Sequence, residues 1–391
     1  MMKLSRRGLL SGFGAIAGAS WIGRAHADAT AKSAVVSIFF EGGFNAIFSS
    51  ADSFAAKGSF GVTASNVKDV GNGLVVDAST IGTLGDWALG HMAAIGNRHG
   101  ATDHLSAVRN NFTDGAQSYA VQLAAAMGGE ASFKAVALGG LPFAGPSPST
   151  KGVSLQLLRS MEDVSRALGL GAADPARPAR SASGAALERS RQMSAPQLMK
   201  NPKSLSFARD AYATCVSSLA KPPLTLDAGK IAQTYGARSG GSLDGLAAKL
   251  AAAEMMLRSG TNVVTMSDLG WDTHGDGRGA TVRRRMSAEV IPALKTFLAR
   301  LRSEPELARI NVSVILHGDF ARSLPSSDHA PALSALVIGP NVKVGTTGRV
   351  TDTVSLKPGT GASREMWSYL AALSKVTDNP FGANPHAAVV A

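Results

Sequence analysis

Three near-continuous apolar runs, Ala34–Phe40, Val263–Met266 and Ile310–Leu316, stand out along the chain. Each reads as a strand covered on both faces, the signature of a central parallel strand, because a strand with one wet face would alternate. Shorter runs at Met92–Ile95, Ala135–Leu138 and Leu333–Ile338 predict further strands. Between them the period lengthens. Leu243, Leu246, Leu250, Ala253 and Leu257 mark one face of a helix, and Met286, Val290, Leu294, Phe297, Leu298 and Leu301 mark another. Helix–strand alternation of this kind predicts an α/β fold with a doubly wound, mostly parallel sheet, right-handed crossovers, and ligands gathered beyond the carboxyl ends of the strands.

Two stretches depart from that alternation. Residues 51–90 are rich in Gly, Ser, Asp and Val with weak periodicity, consistent with loops around short elements. Residues 150–240 read as a mostly helical insertion or cap, with helical spacing of Leu155, Leu158, Met161 and Leu168. Within it, 172–191 is poor in large apolar residues and punctuated by proline, as a flexible linker would be. Little apolar material is left there for an independent core, so residues 28–391 are expected to form a single domain.

The first 27 residues read as a leader. A basic start, Arg6-Arg7 within Ser-Arg-Arg-x-Leu-Leu, an apolar Gly/Ala-rich run to Ile22 and a small-x-small end at Ala25-His26-Ala27 match a twin-arginine export signal. The run is too short for a comfortable membrane span, so cleavage is expected in place of a stable transmembrane anchor. The implied partner is the twin-arginine translocase, and the implied destination periplasmic or extracellular.

Losing Lys3, Arg6, Arg7 and Arg24 with no acid lowers the formal charge from +11 to +7. A basic surface favours anionic esters, polysaccharides or a cell surface. The Lys and Arg residues are scattered and lack interleaved aromatics, which argues against nucleic acid. Cys215 is the only cysteine, so no internal disulfide can form.

Candidate chemistry collects at the predicted strand ends. The first strand closes in Glu41-Gly42-Gly43-Phe44-Asn45, where two glycines permit a sharp turn beside side-chain oxygens. An ordinary strand-to-helix turn capped by Asn45 is the alternative there. Thr102, Asp103 and His104 form a cluster able to act as nucleophile, ligand or base. Gly270-Trp271-Asp272-Thr273-His274 follows another strand, and continued extension would turn Asp272 and His274 to one face, where they could share an ion. Downstream come Asp319, Arg322 and the pair Asp328-His329, whereas His91, His99, His317 and His386 read as ordinary polar or core histidines.

Taken in order, Gly42-Gly43-Phe44-Asn45-Ala46, Thr102-Asp103-His104-Leu105, Gly270-Trp271-Asp272-Thr273-His274, Gly318-Asp319-Phe320-Ala321-Arg322 and Ser327-Asp328-His329-Ala330 resemble the motifs of the exported bacterial domain-of-unknown-function family 1501. That family is placed in the alkaline phosphatase and sulfatase superfamily. The resemblance implies a metal-dependent hydrolase of phosphate or sulfate esters, acting on an anionic small molecule or polysaccharide ester. It implies one or two divalent ions (Zn, Mn, Ca or Mg) on Asp272, His274, Asp319, Asp328 and His329, with Asn45 and Glu41 beside them.

Asp103, His104 and Arg322 would then be the catalytic groups, Arg322 as a fork for two oxyanion oxygens. The sequence departs from the family pattern at four positions: Asn45 for an acid, Asp103 for a serine, Asp319 for a glutamate and Ala321 for a glycine. The missing serine leaves Thr102, Ser106 or a metal-activated water as nucleophile. The other reading is a non-catalytic envelope protein that keeps the fold as a binding scaffold.

Overall fold

The computed structural model describes residues 33–140, 149–170, 180–200, 224–272, 274, 279–323, 329, 331–355 and 361–391. The leader, residues 172–179 of the expected linker, Cys215, Thr273 and Asp328 lie outside the described residues.

Strands β1 (Ser33–Phe40), β2 (Phe44–Asn45), β3 (Val67–Gly71), β4 (Leu74–Asp77), β5 (Met92–Arg98), β6 (Ala135–Leu138), β7 (Leu155–Leu158), β8 (Val263–Asp268), β9 (Asn311–Gly318), β10 (Ala321–Arg322), β11 (Ala332–Ile338), β12 (Gly345–Thr347) and β13 (Gly361–Ala362) follow in chain order. Nine of them form one sheet in the order β12-β5-β11-β9-β1-β8-β6-β7, with β13 also pairing β5. β1 lies at its middle, in parallel register with β8 through Val35↔Val263 and with β9 through Val35↔Ser313.

Every side chain of β1 is buried, and alternate residues feed opposite layers. Ala34, Val36, Ile38 and Phe40 join one core with the helices Leu246–Arg258 and Ile291–Ser303. Val35 and Phe39 join a second core with the helices His104–Phe112, Tyr119–Met127 and Ser363–Leu373. The architecture is therefore α/β, with helices packed on both faces of a large mixed, mostly parallel sheet.

β11 runs antiparallel to both β9 and β5. The chain between β9 and β11 carries no helix among its described residues, and an antiparallel return needs no helical crossover. Reversal has a consequence for function. It brings the start of β11, and hence His329 just before it, to the edge at which β1, β5, β8 and β9 end.

The 150–240 stretch also differs from its sequence reading. Leu155–Leu158 is an edge strand of the main sheet, parallel to β6, and the helix Met161–Leu168 begins only after Ser160, whose side chain accepts from Asp163 N. Further helices span Arg180–Lys200 and Ala228–Thr234. In the region 51–90, β3 and β4 form a separate antiparallel pair. Among the described residues no helix is long and apolar enough to cross a membrane.

Candidate functional site

The turn after β1 is built by close approach. Gly42 and Gly43 have φ of 106° and 126°, a region that side chains disfavour. A methyl carbon on Gly42 would lie 2.1 Å from Asp272 N, and one on Gly43 would lie 2.5 Å from Arg322 Cγ. The turn is thus pressed between the loop after β8 and the strand β10. Glu41 continues the ladder, donating its N–H to Asp268 O (2.9 Å) and accepting from Trp271 N (2.9 Å).

Trp271 anchors the second loop. Its ring is buried against Phe40 (centroids 4.6 Å apart), and its Nε1–H donates to Asp268 Oδ2 at 2.6 Å. Arg285 lies over the same indole and donates to Asp268 Oδ2 at 2.8 Å and to Gly270 O at 2.8 Å. With Trp271 fixed, Asp272 and His274 project outward, each about half exposed, and His274 Nε2 lies 3.4 Å from Asp272 Oδ1.

His104 opens the helix His104–Phe112, and its Nδ1 is hydrogen-bonded to Asp319 Oδ2. Its other nitrogen, Nε2, lies 3.6 Å from Asp272 Oδ2. His329 Nδ1 meets the carbonyl of Thr102 at 3.0 Å, while its Nε2 lies 3.2 Å from His274 Nε2. Phe320 is the floor beneath these rings. It stacks on His329 (4.6 Å, 2° between planes) and meets His104 edge-on at 5.1 Å.

These contacts fix tautomers. A carboxylate and a carbonyl accept only, so in the neutral rings of His104 and His329 Nδ1 carries the hydrogen and Nε2 presents a lone pair. Arg322 NH1 lies 3.0 Å from His274 Nε2 and can only donate, which makes that nitrogen an acceptor too. Ligand atoms of His104, His274 and His329 all lie within 4.8 Å of one another. Together with the neighbouring Asp272 carboxylate these are the side chains that could hold a metal ion.

Arg322 is the cation already present, with a fully buried side chain. NH2 lies 3.1 Å from Asp272 Oδ1 and 3.5 Å from His104 Nε2, and Nε–H donates to Gly42 O at 2.5 Å. Burial lowers its pKa, and Asp272 and Asp319 oppose that shift.

The sequence-predicted residues thus divide. His104, Asp272, His274, His329 and Arg322 converge on one spot. Asp319 stands behind them: Oδ1 accepts from Gly42 N (3.0 Å) and Phe320 N (3.2 Å), and Oδ2 orients His104. Asn45 is buried, with Oδ1 capping Ile47 N at 3.0 Å, as the alternative reading of that turn has it. Asp103 caps the helix that His104 begins, accepting from Ser106 N at 2.8 Å; this bond holds its carboxyl below the usual range.

Glu41 lies near Asp319, Asp268 and Lys249 and outside the imidazole group. Burial raises its pKa, opposed by a hydrogen bond from Ser267, and the neighbouring carboxylates raise it further. Phe320 was not legible as a site residue, because its role depends on rings brought from residues 104 and 329.

No curated protein matches this chain. Residues 119–365, which include Asp272, His274, Asp319, Arg322 and His329 but not His104, match the family described as "Protein of unknown function (DUF1501)", and the chain belongs to that family.

Proposed function

We propose that the protein is a metal-dependent hydrolase of phosphate or sulfate esters, with an alkaline phosphatase/sulfatase-like fold, exported by the twin-arginine route to the periplasm or beyond. The observation that carries this reading is the meeting of three imidazole Nε2 atoms, the Asp272 carboxylate and the buried Arg322 guanidinium at one edge of the sheet. His104, His274, His329 and Asp272 would hold the ion. When bound, a divalent ion supplies positive charge that polarises the ester oxygens.

The chain's own groups do the remainder. Arg322, held by Gly42 O and packed on Gly43, has NH1 on His274 and NH2 on Asp272; two oxygens of a phosphoryl or sulfuryl group would bind its planar fork by taking the place of those partners. Asp319 and the Thr102 carbonyl keep two imidazoles turned inward. Trp271 and Phe320 close the floor with apolar surface, excluding water from beneath the charged groups and strengthening their field.

The non-catalytic scaffold remains the second reading, on one observation. Two positions where the resemblance expects an acid and a serine, Asn45 and Asp103, serve here as local caps. Assays of the purified full chain with aryl phosphates and aryl sulfates separate the readings. Hydrolysis that falls by at least ~100-fold in Arg322→Met and His274→Ala supports the enzyme. A folded protein inert towards both ester classes with each of zinc, manganese, calcium and magnesium supports the scaffold.

A further inference from the structure

We propose that the ester taken by this site is an amphiphile, its anionic end on Arg322 and an aliphatic chain lying over Leu105 and Leu269. This rests on the ester reading of the preceding proposal and goes further by naming the class of group the ester carries. Its basis is which apolar side chains the folded chain holds in water.

Among the described residues the exposed large hydrophobic side chains are Leu105 (70% exposed), Leu269 (63%) and Met193. A single exposed leucine is ordinary on a protein surface. Here two of the three border one polar cluster. Leu105 follows His104 directly, and Leu269 comes three residues before Asp272, so its Cα lies within about 11 Å of the Asp272 Cα. His104 Nε2 and Asp272 Oδ2 are themselves 3.6 Å apart.

The backbone at both leucines is held. Leu269 stands between Asp268 and Gly270, and Arg285 donates to Asp268 Oδ2 and to Gly270 O at 2.8 Å each, while Lys249 Nζ donates to Ser267 O at 2.6 Å. Leu105 lies in the first turn of a helix that Asp103 caps, on the side away from the buried Ala107, Val108 and Phe112. Their exposure is thus set by the frame of the site.

The aromatic rings point the same way. A nucleobase is held largely by stacking on exposed aromatic faces, and a sugar ring packs on them similarly. Trp271 and Phe320 are buried, and no Phe, Tyr or Trp is exposed among the described residues. Beside its charged groups the rim therefore offers aliphatic surface. Hydrolysis of such an ester would consume one water, break the bond from phosphorus or sulfur to the bridging oxygen, and release the aliphatic alcohol and the inorganic anion.

The test is calorimetric binding of methyl, butyl and octyl phosphate, and of the matching sulfates, to the full chain below their micelle concentrations, with the divalent ions of the preceding assay present. Binding is read whether or not turnover occurs. Affinity should rise by at least ~10-fold from methyl to octyl in one of the two series, as buried methylenes add up. The double variant Leu105→Ser, Leu269→Ser, whose exposed positions leave the core intact, should flatten that rise to below ~3-fold and leave the methyl ester unchanged.

Equal affinity for methyl and octyl esters, or a rise that survives the double variant, would overturn this inference and leave an ester hydrolase standing. So would loss of binding to anionic phospholipid vesicles in the double variant with alkyl ester affinities unaltered, which would make the leucines a membrane-docking pair. Failure of every alkyl ester to bind would also overturn it, whatever the aryl esters do. Length-dependent binding with no hydrolysis of any ester would keep the amphiphile site and overturn the hydrolase.

Discussion

His104, His274 and His329 at the rim and His99, His317 and His386 in the interior are one residue type put to opposite uses. Each rim ring has a half-exposed or partly exposed side chain with Nε2 turned to a shared focus. The interior rings are desolvated. Burial lowers His317 to about 3, His99 to about 4 and His386 to about 4. His317 Nε2 is hydrogen-bonded to Ser37 Oγ at 2.8 Å, and its Nδ1 meets no hydrogen-bond partner among the described residues. What separates the sets is what each ring's second nitrogen meets. At the rim an acceptor on Nδ1 of His104 and of His329 turns Nε2 towards the neighbouring groups; in the core apolar packing holds the ring neutral.

The largest effect expected from this contrast is acid sensitivity arising in the core. An unfolded histidine takes a proton near its ordinary value, while these three refuse it until pH falls to about 3–4. Their contribution to stability is therefore complete above about 6.5 and is lost as pH falls through that window, by up to ~4 kcal/mol per pH unit for three protons. Urea melts from neutral pH to about 4 measure it. His317→Gln, compared at matched pH, should remove ~1.4 kcal/mol per unit from the slope; an unchanged slope would show that the buried imidazole is not the origin.

A smaller effect concerns the carboxylate beside the rim. The folded chain favours protonated Glu41, so ionised Glu41 subtracts stability at neutral pH. Glu41→Gln retains a partner for Ser267, removes like charge from Asp319 and Asp268, and also removes the attraction to Lys249. We expect the melting temperature to rise by roughly a degree or two, with metal content unaltered. A drop in metal content would instead make Glu41 a ligand.

Much of the fold was legible because buried strands are written locally. β1, β8 and β9 appear as apolar runs, and the flanking helices as repeats of three and four. β7 was not, since Leu155 and Leu158 suit a helical turn equally well and only pairing with β6 decides otherwise. The reversal of β11 is a matter of strand pairing, antiparallel to β9 and β5, which its apolar run does not encode.

At the site, residue types and strand ends identified the converging groups, but their division of labour was hidden. Asp103 preceding a helix with Ser106 N three residues on is a capping signature that sequence could have supplied. Asp319 turns from the focus because Gly42 N and Phe320 N occupy its other oxygen, a fact of tertiary contact alone. Phe320 is fully buried. It is core, and the rings it supports come from distant parts of the chain.

Heteronuclear NMR of the imidazole nitrogens during zinc titration tests the central claim most directly. The account predicts that Nε2 of His104, His274 and His329 move together and saturate at one equivalent, while Nδ1 of His104 and His329 stay protonated and the resonances of His99, His317 and His386 hold still. Shifts confined to a single rim ring, or zinc bound with all three unmoved, would contradict it.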